Sequence, residues 1–221
     1  MSVELADETQ FILKNTALLT APLIPEIRLH LASEISPLWH ATEEELAAKD
    51  LPPPFWAFAW AGGQALARYL LDHPDVVSGK SVLDFASGSG LQAIAAMQAG
   101  AKHVQAVDID RFAVAAHRLN AAANSVRTDV ALEDYIGREN PGWEIVLAGD
   151  VCYEEPMASR TIDWLRSLAR GGATVLLGDP GRTYLPKTGL ERLASYSVTN
   201  TRELEDSDVR NAIVWRVSAD R

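Results

Sequence analysis

Asp84, Gly88, Gly90 and Asp108 are the residues whose types and spacing first point to chemistry. The apolar run Ser81-Val-Leu-Asp84-Phe-Ala leads directly into Ser87-Gly88-Ser89-Gly90 and then into Leu91-Gln-Ala-Ile, the pattern of a strand, a tight turn and a helix. Glycines without a Cβ let the chain turn sharply and bring its backbone close to a ligand, and Ala93 is small enough for close packing of helix on strand. A second apolar run, His103-Val-Gln-Ala-Val-Asp108, ends in a carboxylate 20 positions after Gly88. That is the distance at which a Rossmann-type unit sets an acid against ribose hydroxyls. The two linked signals describe a cradle for a nucleoside-bearing cofactor, whereas a capping acid and an ordinary strand-to-helix turn would need only one of them.

Two cofactor classes compete for such a cradle. A dinucleotide presents a pyrophosphate to the turn, and a carboxylate at the strand end would oppose it. S-adenosylmethionine (SAM) presents an ammonium, a sulfonium and an unphosphorylated ribose, which Asp84 near the methionine end and Asp108 at the ribose would complement. The acids favour SAM. Ser89, inside the turn, belongs with Gly88 and Gly90 among the expected cofactor contacts.

A second constellation follows a later apolar run: Gly149-Asp150-Val-Cys152-Tyr153-Glu154-Glu155, at what should be the carboxyl end of a strand. Ligands of open α/β sheets bind at that edge. An amine accepts a methyl group through its neutral lone pair, so a site must desolvate, orient and help deprotonate it. Asp150 is placed to accept an amine N–H, and Tyr153 to wall the methyl path. Glu154 and Asp179, the latter in Gly178-Asp179-Pro-Gly-Arg182, are the candidate substrate contacts. Each has a plainer reading as a turn or capping residue. Cys152 is a poor nucleophile candidate because no histidine is placed by sequence to activate it. A third cluster, Pro52-Pro-Pro-Phe55-Trp56-Ala-Phe58-Ala-Trp60-Ala-Gly62-Gly63-Gln64, offers Trp60 as a cofactor wall near a turn at Gly62-Gly63, while Phe55 and Phe58 read as core.

These residues need a scaffold. Strand patterns at Ser81–Ala86, Val104–Asp108, Val126–Val130, Glu144–Gly149 and Ala173–Gly178 alternate with helical patterns at Leu91–Ala99, Phe112–Ala123 and Ala158–Ala169. Such alternation implies a parallel sheet with helices on both faces. Tyr196–Thr201 and Ala212–Ser218, separated only by a polar acidic stretch, read as an antiparallel pair. The expected fold is therefore α/β, a Rossmann-like seven-stranded, mostly parallel sheet with one antiparallel strand near the C-terminus. Residues 1–60 form a helical or irregular N-terminal extension packed on the core, and residues 61–221 the SAM-dependent methyltransferase domain.

Composition narrows the partners. The 221 residues are 48% hydrophobic, enough for a substantial core, and the formal net charge is −10. That charge argues against a broad phosphate-binding surface and hence against nucleic acid as partner. No apolar run reaches the roughly 18–20 residues of a membrane span, and the acidic, polar start lacks a secretory signal. Cys152 alone forms no intramolecular disulfide, which suits a cytoplasmic setting. The histidines show no metal-ligand spacing with it, so no metal is expected.

Taken in order, Trp56-Ala-Phe-Ala-Trp60-Ala-Gly-Gly-Gln64-Ala-Leu-Ala-Arg68-Tyr-Leu, Ser81-Val-Leu-Asp84, Ser87-Gly-Ser-Gly90, Asp108-Ile-Asp110, Gly149-Asp150-Val-Cys-Tyr153 and Gly178-Asp-Pro-Gly-Arg182 resemble the seven-stranded protein-lysine methyltransferases, specifically those acting on the electron transfer flavoprotein β subunit. The resemblance covers roughly residues 50 to 217. It implies N-methylation of a lysine in a folded protein, with the Asp150-to-Tyr153 element beside the target lysine and Asp84, Gly88, Gly90 and Asp108 on SAM. By the same analogy Asp129, ending the third strand, falls near the adenine. Ser89 stands where some relatives carry cysteine or threonine. Two other readings stay open: a SAM-dependent enzyme for a ribosomal protein or small amine, and a SAM-binding module without catalysis.

Overall fold

The structure, a computed structural model, describes residues 6–33, 38, 51–199 and 209–219. The chain opens with helix α1 (Ala6–Asn15) and a hairpin of β1 (Ala17–Ala21) and β2 (Ile24–Leu31). A helical or irregular segment was expected here, so the hairpin is a correction. Its physical basis is non-local. The apolar side of β2 (Ile24, Ile27, Leu29, Leu31) is buried, and its outer edge is closed by side chains rather than by another strand. Asn124 accepts from the Arg28 amide (2.9 Å) and donates to the Arg28 carbonyl (2.6 Å), while Asn120 accepts from the His30 amide (2.7 Å).

Beyond a short 3₁₀ turn at Phe55–Ala57 come α2 (Ala61–Asp72), β3 (Ser81–Phe85), α3 (Leu91–Gln98), β4 (His103–Asp108), α4 (Arg111–Ala123), β5 (Asp129–Leu132), β6 (Ile145–Gly149), α5 (Met157–Arg170), β7 (Thr174–Asp179), β8 (Leu190–Thr199) and β9 (Val209–Val217). The sheet order is β5-β4-β3-β6-β7-β9-β8. Neighbours from β5 to β7 are parallel, and β9 runs antiparallel to both β7 and β8, so β9 is the single reversed strand. The seven-stranded expectation holds, with three shifts in position, one of them β9 beginning at Val209 instead of Ala212. β5 begins at Asp129 instead of Val126, and β8 begins at Leu190 instead of Tyr196; the expected strand's end at Asn200 and Thr201, like residues 34–37 and 39–50 of the N-terminal extension, lies outside the described residues.

Strand alternation divides the core between the faces. Val82, Val104, Ala106, Ile145, Leu147 and Leu176 pack against Leu66 and Leu70 of α2 and Ala93 and Ala96 of α3. Leu83, Phe85, Val107, Val146, Val175 and Leu177 pack against Ile162, Leu165 and Leu168 of α5. Phe112 and Ala113–Ala116 of α4 meet Ile12 of α1 and the buried Trp56. The parallel strands thus end together, bringing Phe85, Asp108, Gly149 and Asp179 to one edge.

Candidate active site

The glycine turn joins β3 to α3 in the way its composition requires. Gly88 and Gly90 take positive φ of 50° and 80°, which glycine adopts without the penalty of a side chain. A Cβ on Gly90 would lie 2.7 Å from Nδ1 of His117, whereas one on Gly88 would meet nothing nearer than the Trp56 Cα at 4.0 Å. Gly88 thus has open space beside it, and the closed side of Gly90 locks the turn onto α4. Asn120 adds to that lock, donating to the Ser89 carbonyl at 2.8 Å, so one side chain joins the turn to the N-terminal hairpin.

Both expected acids flank this turn. Asp108 accepts from the amides of Gly88 (2.8 Å) and Asp110 (3.0 Å), and its surroundings raise its pKa through burial. Asp84 is fully buried, accepts from the Ala93 amide at 3.0 Å, and is pushed up to about 8 by burial, with Asp108 adding to the rise. Its Oδ1, with Ser87 Oγ and Gln92 Oε1, is a buried polar atom without a hydrogen-bond partner. Buried polar atoms are ordinarily satisfied, and an ammonium-bearing nucleoside supplies donors of the kind Asp84 Oδ1 and Gln92 Oε1 lack.

Asp129 is a correction. It opens β5 opposite Gln105, three residues before Leu132, which is the residue beside Asp108. At about 3.3 Å per residue that puts it roughly 10 Å below the ligand edge. Its exposed carboxylate is instead 2.8 Å from His103 Nε2. The strand starts later than its apolar pattern suggested, and the residues beside Asp108 at the sheet edge are Ala131 to Glu133; the Glu133 amide donates to the Asp108 carbonyl at 2.9 Å.

The second acid centre forms where β6, β7 and the start of α2 meet. Gly62 and Gly63 make no turn; they lie in the first turn of α2. A Cβ on Gly62 would stand 2.3 Å from the Gly178 carbonyl oxygen, and one on Gly178 would stand 2.2 Å from the Gly62 oxygen. Only two glycines allow this helix start to touch the end of β7. Asp150, just past β6, holds a positive φ of 59°, a strained conformation for a residue with a side chain and a recurrent one at functional sites. Its Oδ2 accepts the Gly63 amide (2.7 Å), and its Oδ1 accepts Nε (3.2 Å) and Nη2 (2.9 Å) of Arg182. Burial lifts it to about 6, with Arg182 the strongest opposing influence.

Asp179 is completely buried, and its Oδ1 accepts the amides of Gly181 and Arg182, both at 2.7 Å. It shapes the turn that carries Arg182 and does not present itself to a docked substrate, which corrects its expected role. Glu154 stands exposed at the rim.

Aromatic rings frame the mouth: Tyr153 to Phe55 (5.5 Å between centroids), Phe55 to Trp60 (6.0 Å) and Trp60 to Phe58 (5.8 Å). Phe55 is 47% exposed, against the expectation that it seals the core; Trp56, stacked 6.2 Å from Phe112, has that task. Trp60 donates to the Phe55 carbonyl (2.9 Å) and lies 5.5 Å beneath the Arg182 guanidinium. Cys152 is buried and pushed up to about 12, mainly by burial, so it is an inert thiol. Among the described residues no group of three His, Cys, Asp or Glu side chains could hold a metal.

Comparison with known proteins now decides the family. The electron transfer flavoprotein beta subunit lysine methyltransferase of Xenopus laevis is 40% identical over 211 residues, covering 93% of this chain and 85% of the relative. The chain belongs to this methyltransferase family. The human protein of the same name is 37% identical over 212 residues, 93% of this chain and 80% of its own. The family model for ribosomal protein L11 methyltransferase (PrmA) matches residues 64–149, a span that includes the glycine turn and ends immediately before Asp150. Among solved structures, magnesium protoporphyrin IX methyltransferase from Synechocystis PCC 6803 with bound SAM superposes with a TM-score of 0.52 at 18% identity, covering 71% of this chain and 78% of that one; it shares the fold.

The residues that sequence reasoning passed over are Arg182, Gln92 and Asn120. Arg182 lay inside a quoted motif, but only the folded loop shows its guanidinium on Asp150. Gln92 and Asn120 carried no local signal beyond being polar residues in apolar helices.

Proposed function

We propose that this protein transfers the methyl group of SAM to a lysine side chain of the electron transfer flavoprotein β subunit. The near full-length identity to enzymes bearing that name carries the reading, and the site geometry supports it. The cofactor half fits the group: Gly88 leaves open space beside Asp108, and Asp84 Oδ1 is buried and short of a donor. When bound there, SAM supplies a methyl carbon on a positively charged sulfur. The amine lone pair forms the new N–C bond as the S–C bond breaks, sulfur keeps the electron pair, and the amine's proton leaves to solvent.

Asp108 would hold the ribose hydroxyls, Asp84 the positively charged methionine end, and Trp60 a wall of the cofactor space. Asp150 would accept an N–H of the incoming amine and aim its lone pair. Tyr153 and Phe55, half-exposed at the mouth, would strip water from the lysine stem, and Glu154 would meet the docked protein at the rim. Asp150 carries about four acceptor positions as a carboxylate, and three are taken by Gly63 and Arg182; about one remains for an amine. No described helix is long and apolar enough to cross a membrane, and a reducing, cytoplasmic compartment suits a buried free cysteine.

Incubation of the purified chain with SAM and the flavoprotein β subunit should add whole methyl increments to lysine-containing peptides, read by mass spectrometry. Methylation of ribosomal protein L11 or of small amines with none on the flavoprotein subunit would overturn the substrate assignment, and SAM binding without turnover on any acceptor would overturn the enzyme assignment.

A further inference from the structure

We propose that Arg182 is a positioning residue, a built-in cation that keeps Asp150 ionised and fixed in direction, with Trp60 holding the guanidinium plane in place. The inference rests on the reading of Asp150 as the acceptor-side acid, and it deepens that reading. Three separate elements converge to make the arrangement. Asp179 at the end of β7 fixes the backbone of the following loop by accepting the amides of Gly181 and Arg182. The loop then carries the Arg182 side chain back across the strand ends, where Nε and Nη2 both donate to Asp150 Oδ1. The guanidinium carbon lies over the Trp60 ring at the entry to α2, 5.5 Å from its centroid, a geometry that favours a cation. The pair is sheltered, with 19% of the Arg182 side chain and 8% of the Asp150 side chain exposed.

The groups around Asp150 leave Arg182 as the main control of its charge. Facing it from the start of α2 is the Gly63 amide, since the first turn of that helix has no acidic residue. From β7 comes Asp179, whose charge opposes ionisation of Asp150, and from the loop beyond comes Arg182, which favours it. On its own loop, Cys152 and Tyr153 are both held in their neutral forms by burial. A buried carboxylate with a second carboxylate nearby would take up a proton at neutral pH, losing its charge and part of its capacity to accept an amine N–H. The two donors on Oδ1 prevent this, while Oδ2 is held by the Gly63 amide. Arg182 also neutralises the site: a bare carboxylate would hold an arriving lysine as ammonium, which has no lone pair to give. A lysine at position 182 would supply charge without the planar fork.

The test is the titration of the Asp150 carboxyl carbon, followed by NMR in the full chain, for the wild type, Arg182→Gln, Arg182→Lys and Trp60→Leu. Arg182→Gln is expected to raise the midpoint by about one pH unit or more, with Arg182→Lys between it and the wild type and Trp60→Leu giving a smaller rise. The acid limb of the methyl-transfer pH profile should move to higher pH in the same order. An Asp150 midpoint that is the same in all four proteins overturns the proposal, as does a loss of turnover at every pH with the midpoint unmoved, which would mark Arg182 as structural. If Arg182→Gln does not fold, Arg182→Lys and Trp60→Leu carry the same comparison. Full turnover in Asp150→Asn would defeat the catalytic reading of Asp150 alone, since the titration is measured without turnover.

Discussion

The two acid centres at the sheet edge are built to opposite electrostatic plans. Asp84 and Asp108, at the ends of β3 and β4, are held by backbone amides of the glycine turn and the loop beyond, and burial pushes both upward, Asp84 to about 8. Among the described residues no side-chain cation is a cause that shifts either acid. Asp150, at the end of the strand next to that of Asp84, has one supplied by the chain itself in Arg182. The difference supports the proposed division of the edge between cofactor and acceptor. A region that buries carboxylates without a counter-charge gains most from a ligand that brings positive charge, as SAM does. A region that neutralises its carboxylate in advance suits a neutral amine, the form that can attack a methyl group.

Substitutions can break or sharpen this contrast. Asp150→Asn keeps the size and the Gly63 contact but loses the charge, and turnover should fall by about 10²–10⁴-fold with SAM affinity nearly unchanged; equal losses in both would make Asp150 a structural residue. Asp108→Ala should act the other way, weakening SAM binding by about 1.5–3 kcal/mol in calorimetry, and unchanged affinity would end its assignment to the ribose. Between the two glycine approaches, Gly62→Ala should cost about 1–3 kcal/mol of folding stability by driving a methyl into the Gly178 carbonyl. Gly88→Ala faces open space and a positive φ, so thermal unfolding should show a smaller loss of about 1–2 kcal/mol while SAM affinity suffers more. The last expected effect is a slope. Because the folded value of Asp84 is raised, to about 8, its contribution to stability is whole below the ordinary carboxylate range and drains away as pH rises toward 8. Asp84→Asn should flatten that part of the unfolding profile without SAM, and an unaltered profile would place the titration elsewhere.

How much of this was readable beforehand depended on how local the cause was. The glycine turn, Asp108 and the alternation of β3 to β7 with their helices follow from short-range patterns, and the structure keeps them within a residue or two except at β5. There the run from Val126 looked like the strand itself, but Arg127 and Thr128 precede the paired residues, so Asp129 moved from the top of the strand to its base. The hairpin escaped notice because its edge is completed by Asn120 and Asn124, far along the chain, and because Pro22 and Pro25 interrupt its alternation. Arg182 was legible as a residue of a Gly-Asp-Pro-Gly-Arg turn, but its partner is set by tertiary closure of two loops.

The contrast between the two edges is tested most directly by counting protons released when SAM binds, using calorimetry near pH 7 in buffers of different ionisation heat. With Asp84 about 8 in the unliganded protein, it is mostly protonated there, and a cation beside it must drive the proton off. The account predicts release approaching about one proton per SAM bound, abolished in Asp84→Asn and preserved in Asp150→Asn. Binding of SAM with no proton release in the wild type, or with the same release in Asp84→Asn, would contradict it.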